Sequence, residues 1–257
     1  MAKKVIPVAL QLYSLRARAA QDFFGVLKEV AAIGYVGVEG AGLHGRKPAE
    51  VRKVLDDVGL VMPSAHVPLP TPENLSETVD TAKTLGYGMI VSARGPDQFT
   101  TLDSIKAVAD VFQKAAELVK PHGLRLLYHN HYWEFHRVEG RIAYDILMEL
   151  APSLLGQLDV YWASNFETVS VLDVLARYRN RVPSLHIKDG PLVKGQPHTA
   201  VGAGKMDIPA CIKAADPKFT EWLVVELDAC ATDMTAAVRE SCRYLTSNKL
   251  ARGKRQR

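Results

Sequence analysis

Cysteine is scarce: Cys211, Cys230 and Cys242 are the only three in 257 residues, and none forms a CxxC pair. That pattern excludes a disulfide framework and a thiolate zinc site, and it fits a reducing, cytoplasmic setting. No stretch approaches the ~20 apolar residues of a membrane span. The apolar run after Met1-Ala2-Lys3-Lys4 is broken by Pro7 and Gln11, so neither a membrane anchor nor a signal peptide is expected. Surplus positive charge is also missing from most of the chain. The net +4 owes +5 to Lys249, Arg252, Lys254, Arg255 and Arg257 within the last ten residues, which leaves the body at −1. Such a body gives nucleic acid no basic face to hold. Residues 1–247 are read as one domain and residues 248–257 as a basic, solvated tail.

What is present is an ordinary globular composition, 47% hydrophobic and 23% charged. Eight short apolar runs begin near Val8, Tyr35, Leu60, Met89, Arg125, Gly156, Val182 and Trp222, with helical patterns between them. Val51, Val54, Leu55 and Val58 make one apolar helix face, and Phe24, Leu27, Val30 and Ala31 make the one before it. Gly34, Gly59, Gly86 and Gly123 each close a helical pattern just ahead of the next apolar run. Strand, helix and glycine repeated in this way predict an α/β fold with a parallel sheet. A doubly wound sheet would carry a glycine-rich turn after its first strand. The segment QLYSLRARAAQ from Gln11 has no glycine, so a single (β/α)8 TIM barrel is expected.

Active sites of such barrels lie at the C-terminal ends of the strands. Polar residues gather at those ends: Glu39, His66, Arg94, His129 to Phe135, Asp159, His186 to Asp189, and Glu226 to Asp228. Carboxylates and imidazoles ending four successive strands are poor packing material unless paired or metal-bound. Oxygen and imidazole donors without thiolate suit one divalent ion, Mn²⁺ first, with Co²⁺, Mg²⁺ and Zn²⁺ also suited. Such an ion would hold two neighbouring sugar oxygens and acidify the proton on the carbon between them. The loop Gly202-Ala203-Gly204-Lys205 reads equally as a phosphate cradle or as a tight turn before a helix.

Five segments carry a resemblance: YHNHYWEF (Tyr128 to Phe135), LDVYW (Leu158 to Trp162), HIKD (His186 to Asp189), VGAGKMDI (Val201 to Ile208) and VVELD (Val224 to Asp228). In that order they resemble the xylose isomerase-like barrel superfamily of sugar isomerases and epimerases, which also holds the AP endonuclease type 2 barrels. The resemblance implies a Glu, Asp, His, Glu metal set. Asp159, His186 and Glu226 match three of its positions, and at the first stands either Glu134 or His129. Glu134 is preferred, with His129 and His131 as substrate ligands or proton carriers. Glu226 doubles as a base, Lys188 is expected to contact a substrate oxygen, and Asp189 to orient Lys188. His66, Glu39, Trp162 and Arg94 complete the expected substrate contacts.

The function expected is a divalent-metal sugar isomerase or epimerase working by deprotonation beside a carbonyl. The alternative is a dehydratase or lyase on a keto-sugar, inosose or 3-keto-glycoside, which shares the first step. DNA cleavage would need more metal ligands and a basic face, and a metal-free binding protein would not need Asp159, His186 and Glu226 together. The partner expected is a small sugar, with no nucleic acid and no membrane, and the family resemblance points to a homo-oligomer.

Overall fold

In the computed structural model, which describes residues 5–254, eight parallel strands close into a barrel. They are β1 (Val8–Gln11), β2 (Gly37–Ala41), β3 (Ser64–His66), β4 (Met89–Ser92), β5 (Arg125–His129), β6 (Leu155–Asp159), β7 (Ser184–Ile187) and β8 (Trp222–Val225). The main helices alternate with them: α1 (Phe23–Ile33), α2 (Pro48–Val58), α3 (Leu75–Leu85), α4 (Leu102–Val119), α5 (Ala143–Leu150), α6 (Val171–Tyr178), α7 (Ile208–Ala214) and α8 (Met234–Ser247). Closure pairs β1 with β8, aligning Ala9 with Val224. The (β/α)8 barrel expected from the strand and helix periodicity is therefore the fold. No helix among the described residues is long and apolar enough to cross a membrane.

Local chemistry sets the element ends. Asp22 caps α1 by accepting from the Gly25 amide, and Gly34 ends it in the left-handed region at φ 114°. The third strand is shorter than the run from Leu60 suggests. Pro63 has no amide to donate, so Val61 makes an isolated bridge to Gly37 and the ladder resumes only at Ser64.

Side chains alternate across each strand, so every second residue faces the barrel interior. At the bottom Met89, Val91, Leu127, Leu155 and Trp222 form an apolar plug. A Cβ at Gly37 would lie 2.7 Å from the Val61 carbonyl oxygen and 3.3 Å from the Trp222 ring, so only glycine fits there. Above the plug lies a buried polar layer of Gln11, Glu39, Ser64, Gln157 and Ser184. The helices cover the outer faces, where Tyr128 packs edge-on against Phe112 with ring centroids 5.0 Å apart.

Beyond α8 the chain does not leave the barrel as a solvated tail before Lys254. The Arg252 amide donates to Ile6 O (2.8 Å), Val8 N donates to Arg252 O (3.1 Å), Lys254 N reaches Gly34 O (2.7 Å), and Ala251 is buried. The segment satisfies backbone groups that strand β1 would otherwise expose. Arg255 and Arg257, also assigned to the tail, lie outside the described residues.

Asp189 organises the long β7–α7 connection. Its carboxylate accepts from the amides of Gly190 (2.8 Å), Gly202 (2.9 Å), Gly204 (3.1 Å) and Met206 (3.0 Å). The Gly202 and Gly204 amides that a phosphate would use are thus already spent, and the turn reading holds for Gly202 to Lys205. Asp189 is correspondingly turned away from Lys188, contrary to expectation. Asp189→Ala should lower stability by about 3 kcal/mol, because it strands the buried Gly190 amide and removes three part-buried bonds to a charged acceptor. A thermal melt checks this, and the expected fall in Tm is roughly 6–12 °C.

Candidate active site

Glu39 stands at the centre of the polar layer, fully buried on β2. Its carboxylate accepts from Gln11 Nε2 (2.7 Å), Ser64 Oγ (2.5 Å) and Gln157 Nε2 (2.5 Å). It also meets His186 Nε2 at 2.7 Å and His66 Nε2 at 3.0 Å. With every lone pair engaged below the mouth, Glu39 orients its neighbours and is not placed to touch a substrate. This corrects its expected role.

The bonds around Glu39 fix the tautomers above it. Gln157 gives its amide nitrogen to Glu39, so its Oε1 is left to accept from His129 Nδ1 (3.1 Å) and His66 Nε2 (2.9 Å). His129 therefore keeps a free Nε2 lone pair. His186 gives Nε2–H to Glu39 and presents Nδ1 to Glu226 Oε2 at 3.0 Å, with Asp159 Oδ2 at 3.9 Å. A carboxylate behind an imidazole in this way fixes the ring and raises its basicity.

Ligand atoms of His129, Asp159, His186 and Glu226 lie within 4.8 Å of one another, all four residues buried. His66, His129 and His186 form an overlapping group. Glu134, the preferred fifth-strand ligand, belongs to neither. Strand alternation explains why: His129 faces inward, whereas its neighbour Tyr128 faces outward and its hydroxyl donates to Glu134 (2.8 Å). The second Glu134 oxygen accepts from the His131 amide (2.8 Å), so this carboxylate shapes the loop behind the site. Burial pushes Glu134 up to about 8. His129, the other reading of that position, is the residue brought into the cluster.

Lys188 follows on β7 at the next inward position, with its ammonium 2.7 Å from Asp228, 2.8 Å from Glu226 and 3.0 Å from Asp159. It is completely buried, so it neutralises these carboxylates instead of reaching a substrate oxygen as expected. Asp228, not Asp189, fixes it. Arg94 is likewise not at the mouth. Its guanidinium lies 5.0 Å over the Phe112 ring on the outer, helix side, and only its carbonyl serves the site by accepting from Trp133 Nε1 (3.2 Å).

Aromatic rings make the wall. His131 stacks on Trp133 with centroids 4.1 Å apart, and the Lys188 ammonium lies 5.3 Å from the Trp162 ring centroid. His198, from the β7–α7 connection, packs 5.1 Å from Trp162 and receives the Asp228 amide at Nδ1 (3.2 Å). Sequence reasoning passed over His198, Gln11 and Gln157. The two glutamines occupy inward strand positions and were legible in principle, but His198 lies in a connection without periodicity.

Charge and burial compete throughout. Burial drives the His129 value well below its usual range, with His186 and His131 adding to the effect. Desolvation and the Lys188 charge hold His131 at about 4. Desolvation opposes a charged His186, but Glu39 and then Glu226 outweigh it and lift His186 to about 10. Burial raises Asp159, whose Oδ2 faces the Lys188 ammonium at 3.0 Å. Four carboxylates (Glu39, Asp159, Glu226, Asp228) thus face one fixed cation, Lys188, and a His186 that is protonated only while no ion takes the place of its Nδ1 proton. That surplus of negative charge and the oxygen and imidazole donor set fit a divalent ion.

Without added metal, histidine-detected NMR should find His186 still protonated at pH 8, titrating at about 10. Because this exceeds the 6.5 of an unfolded chain, its pairs stabilise the fold fully below about pH 6.5. That contribution is lost as pH rises through about 10. Glu39→Gln should bring the His186 titration down toward 6.5.

Residues 27–248 match the family described as xylose isomerase-like TIM barrel. An inosose dehydratase from Geobacillus kaustophilus is 24% identical over 245 residues, covering 79% of each chain. The crystal structure of a sugar phosphate isomerase/epimerase from Parabacteroides distasonis superposes with a TM-score of 0.78 at 25% identity, over 94% of this chain and 98% of that one. The IolI protein with a bound zinc atom superposes at 0.73 with 14% identity, over 95% and 98% of the two chains. The match runs from the first helix to the last and takes in every strand that lines the site except β1, so the chain belongs to the xylose isomerase-like TIM barrel family.

Proposed function

We propose that this protein is a divalent-metal-dependent sugar isomerase or epimerase that removes a proton beside a carbonyl of a sugar or keto-sugar. The observation that carries the reading is the convergence of His129, Asp159, His186 and Glu226 within 4.8 Å above the Glu39 carboxylate. Those four residues would hold the ion, with His129 in the place first given to Glu134. Zinc bound by the similarly folded IolI protein supports a divalent ion, and the donor set suits Mn²⁺, Co²⁺ or Mg²⁺ as well. When bound, the ion would polarise the carbonyl and acidify the neighbouring C–H bond.

The protein's own groups supply the rest. Lys188 and His186 hold Glu226 ionised and well below the usual carboxylate range. His131, neutral at pH 7, is partly exposed at the mouth, with its buried Nδ1 turned toward Glu134 (4.0 Å). Glu226 and His131 are accordingly the proposed proton carriers, and Lys188 acts through Glu226 as a positioning residue. Trp133 and Trp162 form aromatic faces against which a sugar ring packs. His66 bonds to Gln157 and Glu39 and is about one quarter exposed, which leaves its outer edge for substrate.

Elimination is the second reading, favoured by the similarity to an inosose dehydratase. Both readings share the deprotonation, and the fate of the neighbouring C–O bond separates them. The metal-loaded protein, incubated with keto-sugars in D₂O, should exchange one carbon-bound proton, as seen by NMR. A product that keeps its hydroxyls supports isomerisation or epimerisation, and loss of water supports the dehydratase. Asp159→Asn and Glu226→Gln should lose the stoichiometric ion, measured by plasma mass spectrometry, and reduce exchange at least 10³-fold, on the order of an essential catalytic group. Glu39→Gln should weaken metal affinity by about 10–100-fold, the effect of losing an orienting partner. Full metal content and exchange in both ligand variants would overturn the assignment.

A further inference from the structure

Two buried donors at the mouth have nothing to donate to. Trp162 Nε1 and His198 Nε2 are shielded from solvent and lack hydrogen-bond partners, and their rings lie 5.1 Å apart. The indole nitrogen only donates. The His198 tautomer follows from its other nitrogen: Nδ1 accepts the Asp228 amide, so a neutral ring carries its proton on Nε2. Burial, reinforced by the Lys188 charge, holds His198 at about 4, and the ring is neutral at pH 7. His198 is 2% exposed, and it is held edge-on between Tyr161 (4.9 Å) and Trp162. A rigid ring with an idle buried donor is costly, and such costs are retained where a ligand supplies the acceptor.

We infer that Trp162 and His198 form a two-donor subsite that accepts an uncharged oxygen of the substrate, a hydroxyl or glycosidic oxygen, and selects free sugars over their phosphate esters. This rests on the sugar reading above and adds the substrate class. Charge at the two donors themselves separates the classes; the cations Arg16, on the Asp228 carbonyl (2.9 Å), and Lys194, over the Tyr132 ring (5.0 Å), stand beside the pair and not in it. Neither donor is cationic, and the nearby Lys188 ammonium is consumed by Asp159, Glu226 and Asp228. The exposed part of the Asp228 carboxylate, whose side chain is 36% accessible, would repel a phosphate dianion but accept from a hydroxyl. The Gly202 and Gly204 amides, backbone donors of this connection, are held by Asp189.

The test uses the full chain supplied with Zn²⁺, titrated with free ketohexoses, an inosose, a methyl 3-ketoglucoside and fructose 6-phosphate. The sequence has three tryptophans, so the Trp162 indole N–H is readily resolved in a ¹⁵N spectrum. A free sugar should move the Trp162 N–H and His198 Nε2 resonances together with those of His129 and His186, and fructose 6-phosphate should bind more weakly. Trp162→Phe and His198→Leu should each weaken binding of that sugar about 3- to 10-fold, the worth of one neutral hydrogen bond. His198→Gln, which keeps an amide donor at the same reach, should restore most of it. Shifts at His129 and His186 without any at Trp162 or His198 would overturn the subsite and leave the sugar reading standing. Tighter binding of the phosphate ester would overturn the selectivity. No binding of any free sugar, with neither group of resonances moved, would overturn both readings.

Discussion

A negative charge buried in the middle of the barrel is what the rest of the site depends on. The Glu39 carboxylate has no access to water and is held by donors from β1, β3, β6 and β7. An ion in that position is tolerated only when its lone pairs are filled. Filling them dictates the rotamer of Gln157 and the tautomer of His129, whose Nε2 lone pair is left free, and it turns the Nδ1 edge of His186 toward Glu226 and Asp159. The barrel thus prepares its mouth from below. The apolar plug beneath Glu39 keeps the charge from solvent on the other side, and so makes each of these bonds stronger than the same bond in water.

Electrostatics and packing then pull in different directions, and the balance differs residue by residue. His129 and His131 lie among like charges and in apolar surroundings, so they lose their protons. His186, equally buried, sits between two carboxylates and keeps its own. One kind of side chain thereby supplies a neutral donor to a proposed ion (His129), a neutral proton carrier at the mouth (His131) and a group whose proton the ion would displace (His186). Lys188 adds a fixed positive charge, and its three carboxylate partners explain why a lysine can be completely buried at the end of a strand.

Much of this was legible beforehand. The strands, the helix-closing glycines and the strand-end placement of Asp159, His186 and Glu226 follow from periodicity and alternation, which are local properties. The family pattern favours Glu134 over His129 because carboxylates are its commoner partner at that position. The one-residue parity of β5, with Tyr128 outward and His129 inward, brings His129 and not Glu134 into the cluster. Arg94 was misplaced because it follows β4 in a loop, where alternation no longer constrains direction, and Phe112 offers its ring on the outer side. The C-terminal segment reads as basic and therefore solvated. Its backbone, not its charge, decides its position up to Lys254, by completing hydrogen bonds with Ile6, Val8 and Gly34.

By itself the sequence determined the order and kind of the elements, the barrel they form and the residue types that end its strands. These depend on spacings of two and about 3.6 residues, which are set by backbone geometry within a single element. Only the tertiary structure decided which of those residues meet. Glu39 and His186 are 147 residues apart in sequence and 2.7 Å apart in space, joined because closing eight strands sets opposite walls facing each other across the interior. The same closure buries them, and burial is what turns a collection of ordinary carboxylates and imidazoles into groups with fixed charges, fixed tautomers and a shared centre.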